Sequence, residues 1–310
     1  VGFNLGTLSF SNVENLDLRL GGISATAAQL SAFTSIYTTD GTADVSIGLT
    51  GLGGTIDFGA LWHGKQTLHI DAYGAGDGTG YTLTGTSRSD IIAGSDYTDT
   101  ISGGGGNDIL NTRDGIGDVL NGDDGSDELT TYATDVTLNG GNGKDRLFSY
   151  SGGFLNGDAG DDKLIAHLGA PTSFGGEGRD RIFAATGSDT FVYTAATESS
   201  GADHDTIRDT NFANDIWDLA VAVTGIDATI TTGTLDKGVT FDAGITAAAD
   251  AAHLAANHAV LFTPDGGDRA GSTFLIVDLN GTAGYQSGQD LVIKLADAQN
   301  IDSFATTNFA

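Results

Sequence analysis

The chain has 310 residues and a formal charge of −28, from 13 Lys and Arg against 41 acidic residues, which excludes a nucleic-acid role that would need a basic stripe. Only four of the acids are glutamate (Glu14, Glu128, Glu177 and Glu198), and a surplus of aspartate, the shorter ligand and the better turn residue, favours divalent cations. With 48 Gly, 2 Pro, no Cys, no Met, a 39% hydrophobic share and no apolar run near the ~18 residues of a membrane span, disulfide chemistry, collagen, a disordered acidic tail and a transmembrane helix are excluded as well.

The chain opens at Val1 without Met or a signal peptide, which reads as the C-terminal piece of a longer protein. Residues 1–84 alternate short β-type runs with Gly and Thr turns: 8–20, 43–52, 54–62, 66–74 and 80–85. Such runs predict an irregular β-solenoid or sandwich stacked on the segment that begins at Gly85. The segment 23–36 reads as a short helix with Leu30, Phe33 and Ile36 on one face.

Residues 85–193 form an array. GTSRSDIIA (85–93), GGGGNDILN (103–111), GDDGSDELT (122–130), GGNGKDRLF (140–148), GDAGDDKLI (157–165) and GGEGRDRIF (175–183) share a glycine-rich turn, aspartate at position six and an aliphatic residue at position eight. Their sixth-position aspartates are Asp90, Asp108, Asp127, Asp145, Asp162 and Asp180, in steps of 18, 19, 18, 17 and 18 residues, and a fixed period means a stacked solenoid. Poorer units of about nine residues lie between them. Ile92, Ile101, Leu110, Leu120, Leu129, Leu138, Leu147, Leu155, Leu164 and Ile182 recur at position eight and are expected to point inward from short strands as an aliphatic ladder.

Residues 194–310 lose the period. Within them, 245–260 is alanine-rich and predicts a helix with Thr246 as its N-cap, whereas 272–281 and 289–298 predict paired strands.

The spacing carries chemistry. A glycine-rich half-turn admits positive φ and turns carbonyls toward a common point, and the sixth-position aspartate adds a carboxylate beside them. Calcium takes six to eight oxygen ligands, and carbonyls plus carboxylates are its usual set. With one turn and one strand per unit, turns about 18 residues apart stack on the same edge, so that an ion between two turns takes an aspartate from each.

GGGGNDILN, GGNGKDRLF and GGEGRDRIF resemble the GGxGxDxUx nonapeptide of the RTX (repeats-in-toxin) family, over about 110 residues. The resemblance implies an all-β fold: a parallel β-roll, or β-solenoid, of calcium-binding repeats at 85–193, flanked by β-rich segments at 1–84 and 194–310 with one or two short helices. It implies several calcium ions held by the six aspartates and, through their carbonyls, by Gly103, Gly104, Gly106, Gly122, Gly125, Gly140, Gly141, Gly143, Gly157, Gly160, Gly175, Gly176 and Gly178. Residues 274–295 are similar to the ends of type I-secreted RTX proteins, and more loosely to those of surface-layer proteins, which implies an export signal, the type I secretion machinery as partner and an extracellular location.

The array departs from the pattern in places. Of the five sites between neighbouring good turns (90/108, 108/127, 127/145, 145/162 and 162/180), the first is weakened by Thr86 and Arg88 in place of glycines. On the opposite edge only Asp99, Asp118 and Asp189 occupy or approach position six, and Ser173 replaces an inward aliphatic. The expectation is a one-sided ladder of roughly four to six ions. Asp123, Asp124, Asp158 and Asp161 lie in the same turns and read as solvated or outer-sphere groups. Asp278, Asn280 and Asp290 form a weaker candidate site that resembles the start of an EF-hand loop but lacks its twelfth-position glutamate; the alternative is a plain Asn-Gly hairpin turn.

No HExxH, nucleophile elbow, phosphate loop or CxxC pair occurs, and the six histidines are scattered. Trp62, Trp217 and Tyr285 read as packing residues, and the Asp203–His204–Asp205 trio as a turn. A calcium-dependent surface-layer or adhesin region is therefore the leading expectation, with no catalysis in this segment. The alternatives are the secretion module of an enzyme with its catalytic domain upstream, and a glycan-binding module; self-association in a lattice or a cell-surface polysaccharide would be the partner of a surface protein.

Overall fold

The computed structural model describes residues 3–4, 14–18, 22–38, 44–75 and 78–310. They fall into two compact units, Val1–Gly153 and Phe154–Ala310. Residues 8–13, 19–20 and 43 of the expected N-terminal β runs lie outside the described residues.

In the first unit each repeat is one turn and one short strand, and consecutive strands go to two different sheets. One sheet holds Ile91–Ala93, Ile109–Asn111, Glu128–Thr131 and Arg146–Ser149, and the other Thr82–Thr84, Thr100–Ser102, Val119–Gly125 and Thr137–Gly143. Every neighbouring pair is parallel and in register. Ile92, Leu110, Leu129 and Leu147 therefore stand side by side, as do Leu83, Ile101, Leu120 and Leu138, each at most 1% exposed. A buried side chain of this size contributes about 1.5–3 kcal/mol, and the period-two alternation sends its neighbours outward.

Parallel pairing also runs through Phe3–Asn4, Gly22–Ala25, Val45–Gly51 and Leu68–Ala75, so the N-terminal stretch is built as coils and not as a sandwich. The expected helix at 23–36 is overturned. Gly22–Ala25 and Ser35–Tyr37 are strands, and only Ala27–Leu30 is helical, closed by a capping box between Thr26 and Gln29. Leu30, Phe33 and Ile36 are buried, but from a helix, a turn and a strand. Phe58–Leu61 and Phe241–Ala248 bring the α-helices to three among the described residues, where one or two were expected.

In the second unit Lys163–Ala166, Arg181–Phe183, Thr206–Arg208 and Leu291–Ala296 run parallel, aligning Leu164, Ile182, Ile207 and Leu295. The sheet then turns antiparallel through Thr273–Val277 to His258–Phe262, which realises the expected strand pair. The other sheet aligns Leu155, Ser173, Phe191 and Trp217, and its end is covered by Phe212, Phe304 and Phe309. The helix predicted at 245–260 lies instead at Phe241–Ala248, with Thr246 inside it and not at its N-cap. An Asp250 side chain that accepts the Ala252 N–H turns the chain out of the helix, and His258–Phe262 joins the sheet. Helix propensity yields there to a strand whose last four residues are buried.

Leu129→Ala is expected to cost about 2–5 kcal/mol in denaturant unfolding, whereas Ile109→Ala, on a side chain 44% exposed, is expected to cost about 0.5 kcal/mol or less. Equal losses would contradict the inward ladder.

Candidate metal centre

The turns between strands carry the aspartates. Asp90, Asp108, Asp127 and Asp145 in the first unit and Asp162 and Asp180 in the second are at most 2% exposed. Asp90, Asp108, Asp127, Asp145 and Asp180 each accept, through Oδ1, the backbone N–H of a residue one coil earlier. Asp90 N–H donates to Asp108, Asp108 to Asp127, Asp127 to Asp145 and Asp162 to Asp180, all at 2.7 Å, and Leu68 N–H donates to Asp90 at 3.2 Å. The opposite edge repeats the motif where it keeps an acid: Tyr81 N–H donates to Asp99 at 2.6 Å and Asp99 N–H to Asp118 at 2.8 Å. Of the three units that lack one, two have buried Val136 and Pro171 at the position and the third has Gly153.

Two further members escaped the sequence reading. Asp180 N–H donates to Asp205 Oδ1 at 2.7 Å, and Asp189 N–H to Asp215 Oδ1 at 3.0 Å. Inserted residues put these acids 25 and 26 positions beyond their partners, where a search at 18 does not look. The signal that finds them is local: aspartate with an inward apolar residue two positions on, as in Asp205-Thr-Ile and Asp215-Ile-Trp. The Asp203–His204–Asp205 trio is thus more than a turn.

The second carboxylate oxygen separates the aspartates into two groups. Asp90 Oδ2 accepts the Thr86 N–H at 2.6 Å, Asp99 Oδ2 the Ser95 N–H at 2.5 Å, Asp215 Oδ2 the Asn211 N–H at 2.7 Å and Asp205 Oδ2 the Tyr193 hydroxyl at 2.9 Å. These four are saturated by protein donors. Oδ2 of Asp108, Asp118, Asp127 and Asp180 is buried with no hydrogen bond, as are both oxygens of Asp189. Backbone conformation accounts for the difference on the edge of the good turns. Position two is left-handed at Gly104 (φ 98°), Asp123 (φ 69°), Gly141 (φ 102°), Asp158 (φ 66°) and Gly176 (φ 92°), which carries its N–H away from the carboxylate. Thr86 is outside that region and donates. The opening glycines leave the unbonded oxygens clear of any side chain: a Cβ on Gly122 would lie 2.6 Å from Asp127 Oδ2, and one on Gly175 2.5 Å from Asp180 Oδ2.

Burial, followed by hydrogen bonding and the charge of neighbouring aspartates, sets the titration of this column. Burial pushes Asp108 up to about 7, with Asp127 and Asp90 adding to the rise, and Asp127 up to about 6, with Asp145 and Asp123 adding. Burial and then Asp205 raise Asp180 to about 8. On the other edge burial raises Asp118 to about 6 and Asp189 to about 7. Stacked carboxylates one strand spacing, about 4.8 Å, apart repel one another, and a divalent cation offsets that repulsion.

The donor set is all oxygen and hard. Among the described residues no group of three or more His, Cys, Asp or Glu side chains converges, so an ion between two turns needs backbone carbonyls to complete its shell. Some carbonyls already link the turns: Gly104 O accepts the Asp124 N–H at 3.0 Å, and Asp124 O the Gly106 N–H at 2.9 Å. The weaker candidate at 278–290 has no open oxygen of this kind. Asp278 accepts the Asn280, Gly281 and Asn257 N–H groups, and Asp290 those of Leu279 and Gln286 together with the Asn280 side-chain amide, which is the bonding of a turn.

Because the folded values lie above the ordinary 3.8, the folded, cation-free chain binds more protons than the unfolded one, and its stability falls as pH rises through about 6 to 8. In circular dichroism of cation-stripped protein, the β signal is expected to be stronger at pH 5, where these carboxyls are protonated, than at pH 8. An equal or weaker β signal at pH 5 would remove the buried-carboxylate account.

Residues 55–260 match the family model described as Peptidase M10 serralysin C terminal. No curated protein matches the chain.

Proposed function

The chain belongs to the serralysin C-terminal family, whose members are RTX-type β-rolls, and from that premise we propose that it is the calcium-dependent folding and export module of a secreted protein. That family region is a non-catalytic repeat region. The observation that carries the proposal is the set of buried, unbonded Oδ2 atoms beside glycines that leave room for an ion. Asp108 with Asp127 and Asp127 with Asp145 would hold ions in the first unit, and Asp162 with Asp180 in the second, with turn carbonyls completing each shell. The ion supplies positive charge to a column of buried carboxylates.

Coupling of folding to the ion follows from electrostatics. Where calcium is scarce, a net charge of −28 and repelling turns keep the chain extended; at about millimolar calcium outside the cell, ligation energy becomes folding energy. The stretch 274–295 fits this order of events. Its strand Leu291–Ala296 is largely buried in the folded unit, so an export signal there is readable only on an unfolded chain. Among the described residues no helix is long and apolar enough to cross a membrane. The division into a stacked segment (1–84), a roll (85–193) and a cap bearing the signal (194–310) belongs to the same proposal. The family match favours this reading over the surface-layer and adhesin expectation, whose support is the likeness of the chain end alone.

Circular dichroism is expected to show β structure appearing when a few millimolar calcium replaces EDTA; identical spectra would end the proposal. Asp127→Ala is expected to remove the two ions on either side of it in equilibrium dialysis, while Asp135→Asn, a left-handed turn residue with φ 57° on the poor edge, is expected to remove none. Equal losses would contradict a one-sided ladder.

A further inference from the structure

The second unit carries a feature that its net acidity does not lead one to expect. Six of the chain's 13 basic residues (Lys163, Arg179, Arg181, Arg208, Arg269 and Lys294) line one open pocket of about 540 Å³, with Asp180, Phe183, His204 and Thr206. Sheet register assembles it. Lys163, Arg181, Thr206 and Lys294 are directly opposite one another on four successive parallel strands, and Phe183 pairs with Arg208 in the row beside them.

This is a costly arrangement. Like charges facing each other across strands destabilise a sheet, and the chain offers 41 acids that could neutralise them. Arg208 does pair with Asp297, at 2.6 Å, and Arg179 with Asp161, at 3.4 Å. Lys163, Arg181, Arg269 and Lys294 make no ion pair among the described residues. Arg269 Nε is moreover buried without a hydrogen-bond acceptor. Asp180, the one acid in the lining, makes no ion pair with any of them among the described residues. Lys163 and Arg208 are held over the sheet by the Phe183 ring, with their charged ends 5.0 and 5.8 Å from its centre. Burial, and then the charges of Arg269, Arg208 and Lys237, lower the pKa of Lys294.

We propose that this pocket binds an acidic saccharide, of mono- or disaccharide size and carrying at least two oxyanion groups. Guanidinium forks take carboxylate, sulfate or phosphate oxygens in pairs, which would satisfy the orphaned Arg269 Nε. Thr206 supplies a hydroxyl for the sugar frame, and Phe183 holds Lys163 and Arg208 in place. The volume falls within the range of small-ligand pockets. The chain's net charge of −28 repels a long polyanion, so a compact ligand whose charges are concentrated at one end is favoured. The pocket adjoins the aspartate ladder at Asp180, but its six cations are recruited by sheet register and not by the repeat.

The test is isothermal titration of the calcium-loaded chain with a trisulfated heparin disaccharide, and with maltose as the neutral counterpart. Sub-millimolar binding of the sulfated sugar alone is expected, weakened at least ten-fold in Arg269→Gln and Lys294→Gln and in 0.5 M salt, and unchanged in Lys65→Gln. Circular dichroism checks the fold of each variant; if Arg269→Gln does not fold, Arg181→Gln, an exposed residue of the strand row that lines the pocket, is read in its place. Equal binding of maltose, or unchanged affinity in the patch variants, would overturn the proposal. So would a dimer by sedimentation that Arg269→Gln abolishes in a chain that binds no disaccharide, since the occupant would then be the acidic face of a second copy.

Discussion

One hydrogen bond organises the array: a buried aspartate Oδ1 accepting the backbone N–H of the equivalent residue one coil before. It ties neighbouring turns where the strand ladder ends, and it fixes the carboxylate so that its other oxygen has a defined place. Because the acceptor is charged, this bond is stronger than an amide–carbonyl bond, but it brings a negative charge into a buried position. The glycine turns, the raised carboxylate pKa values and the need for a counter-ion all follow from that placement. The aliphatic ladder inside the coils does not oppose it, since each aspartate and its inward leucine or isoleucine lie two residues apart and are buried by the same coil.

Much of this was legible in the sequence because it is periodic. Position eight gave the ladder from Ile92 to Ile182, and position six gave Asp90 to Asp180. Where the period breaks, sequence reading lost the thread although the geometry continues. Asp205 and Asp215 keep the ladder bond after inserted loops, since the bond depends on strand register and not on the number of residues between coils. The two helix expectations failed for a common reason. Alanine and Gln-Leu runs favour helix locally, but Gly22–Ala25 and His258–Phe262 have sheet neighbours on both sides, and that pairing outweighs a few tenths of a kcal/mol per residue of propensity.

The distinction between open and saturated carboxylates was only partly visible. Thr86 and Arg88 in place of glycine marked the turn of Asp90 as weak, and the structure supplies the cause in the Thr86 N–H. The pocket of cations was not visible at all. Its members come from positions 163 to 294, and only the parallel pairing of Lys163–Ala166 with Arg181–Phe183, and onward to Leu291–Ala296, brings them to one face. The solenoid ends here too: the antiparallel hairpin and the Trp217, Phe212 and Phe309 cluster cover the two sheets at this end.

The left-handed residue at position two of each good turn acts as a valve. With glycine there, or with Asp123 and Asp158, which tolerate the conformation, the carboxylate stays open; with Thr86 the chain closes it with its own amide. Both states keep the Oδ1 bond, the strand register and the inward aliphatic. Open and closed turns therefore share one coil geometry, and in the proposed ladder the residue at position two decides whether a turn offers an oxygen to a cation. The number of ions that folding has to recruit would then be set turn by turn through that one position.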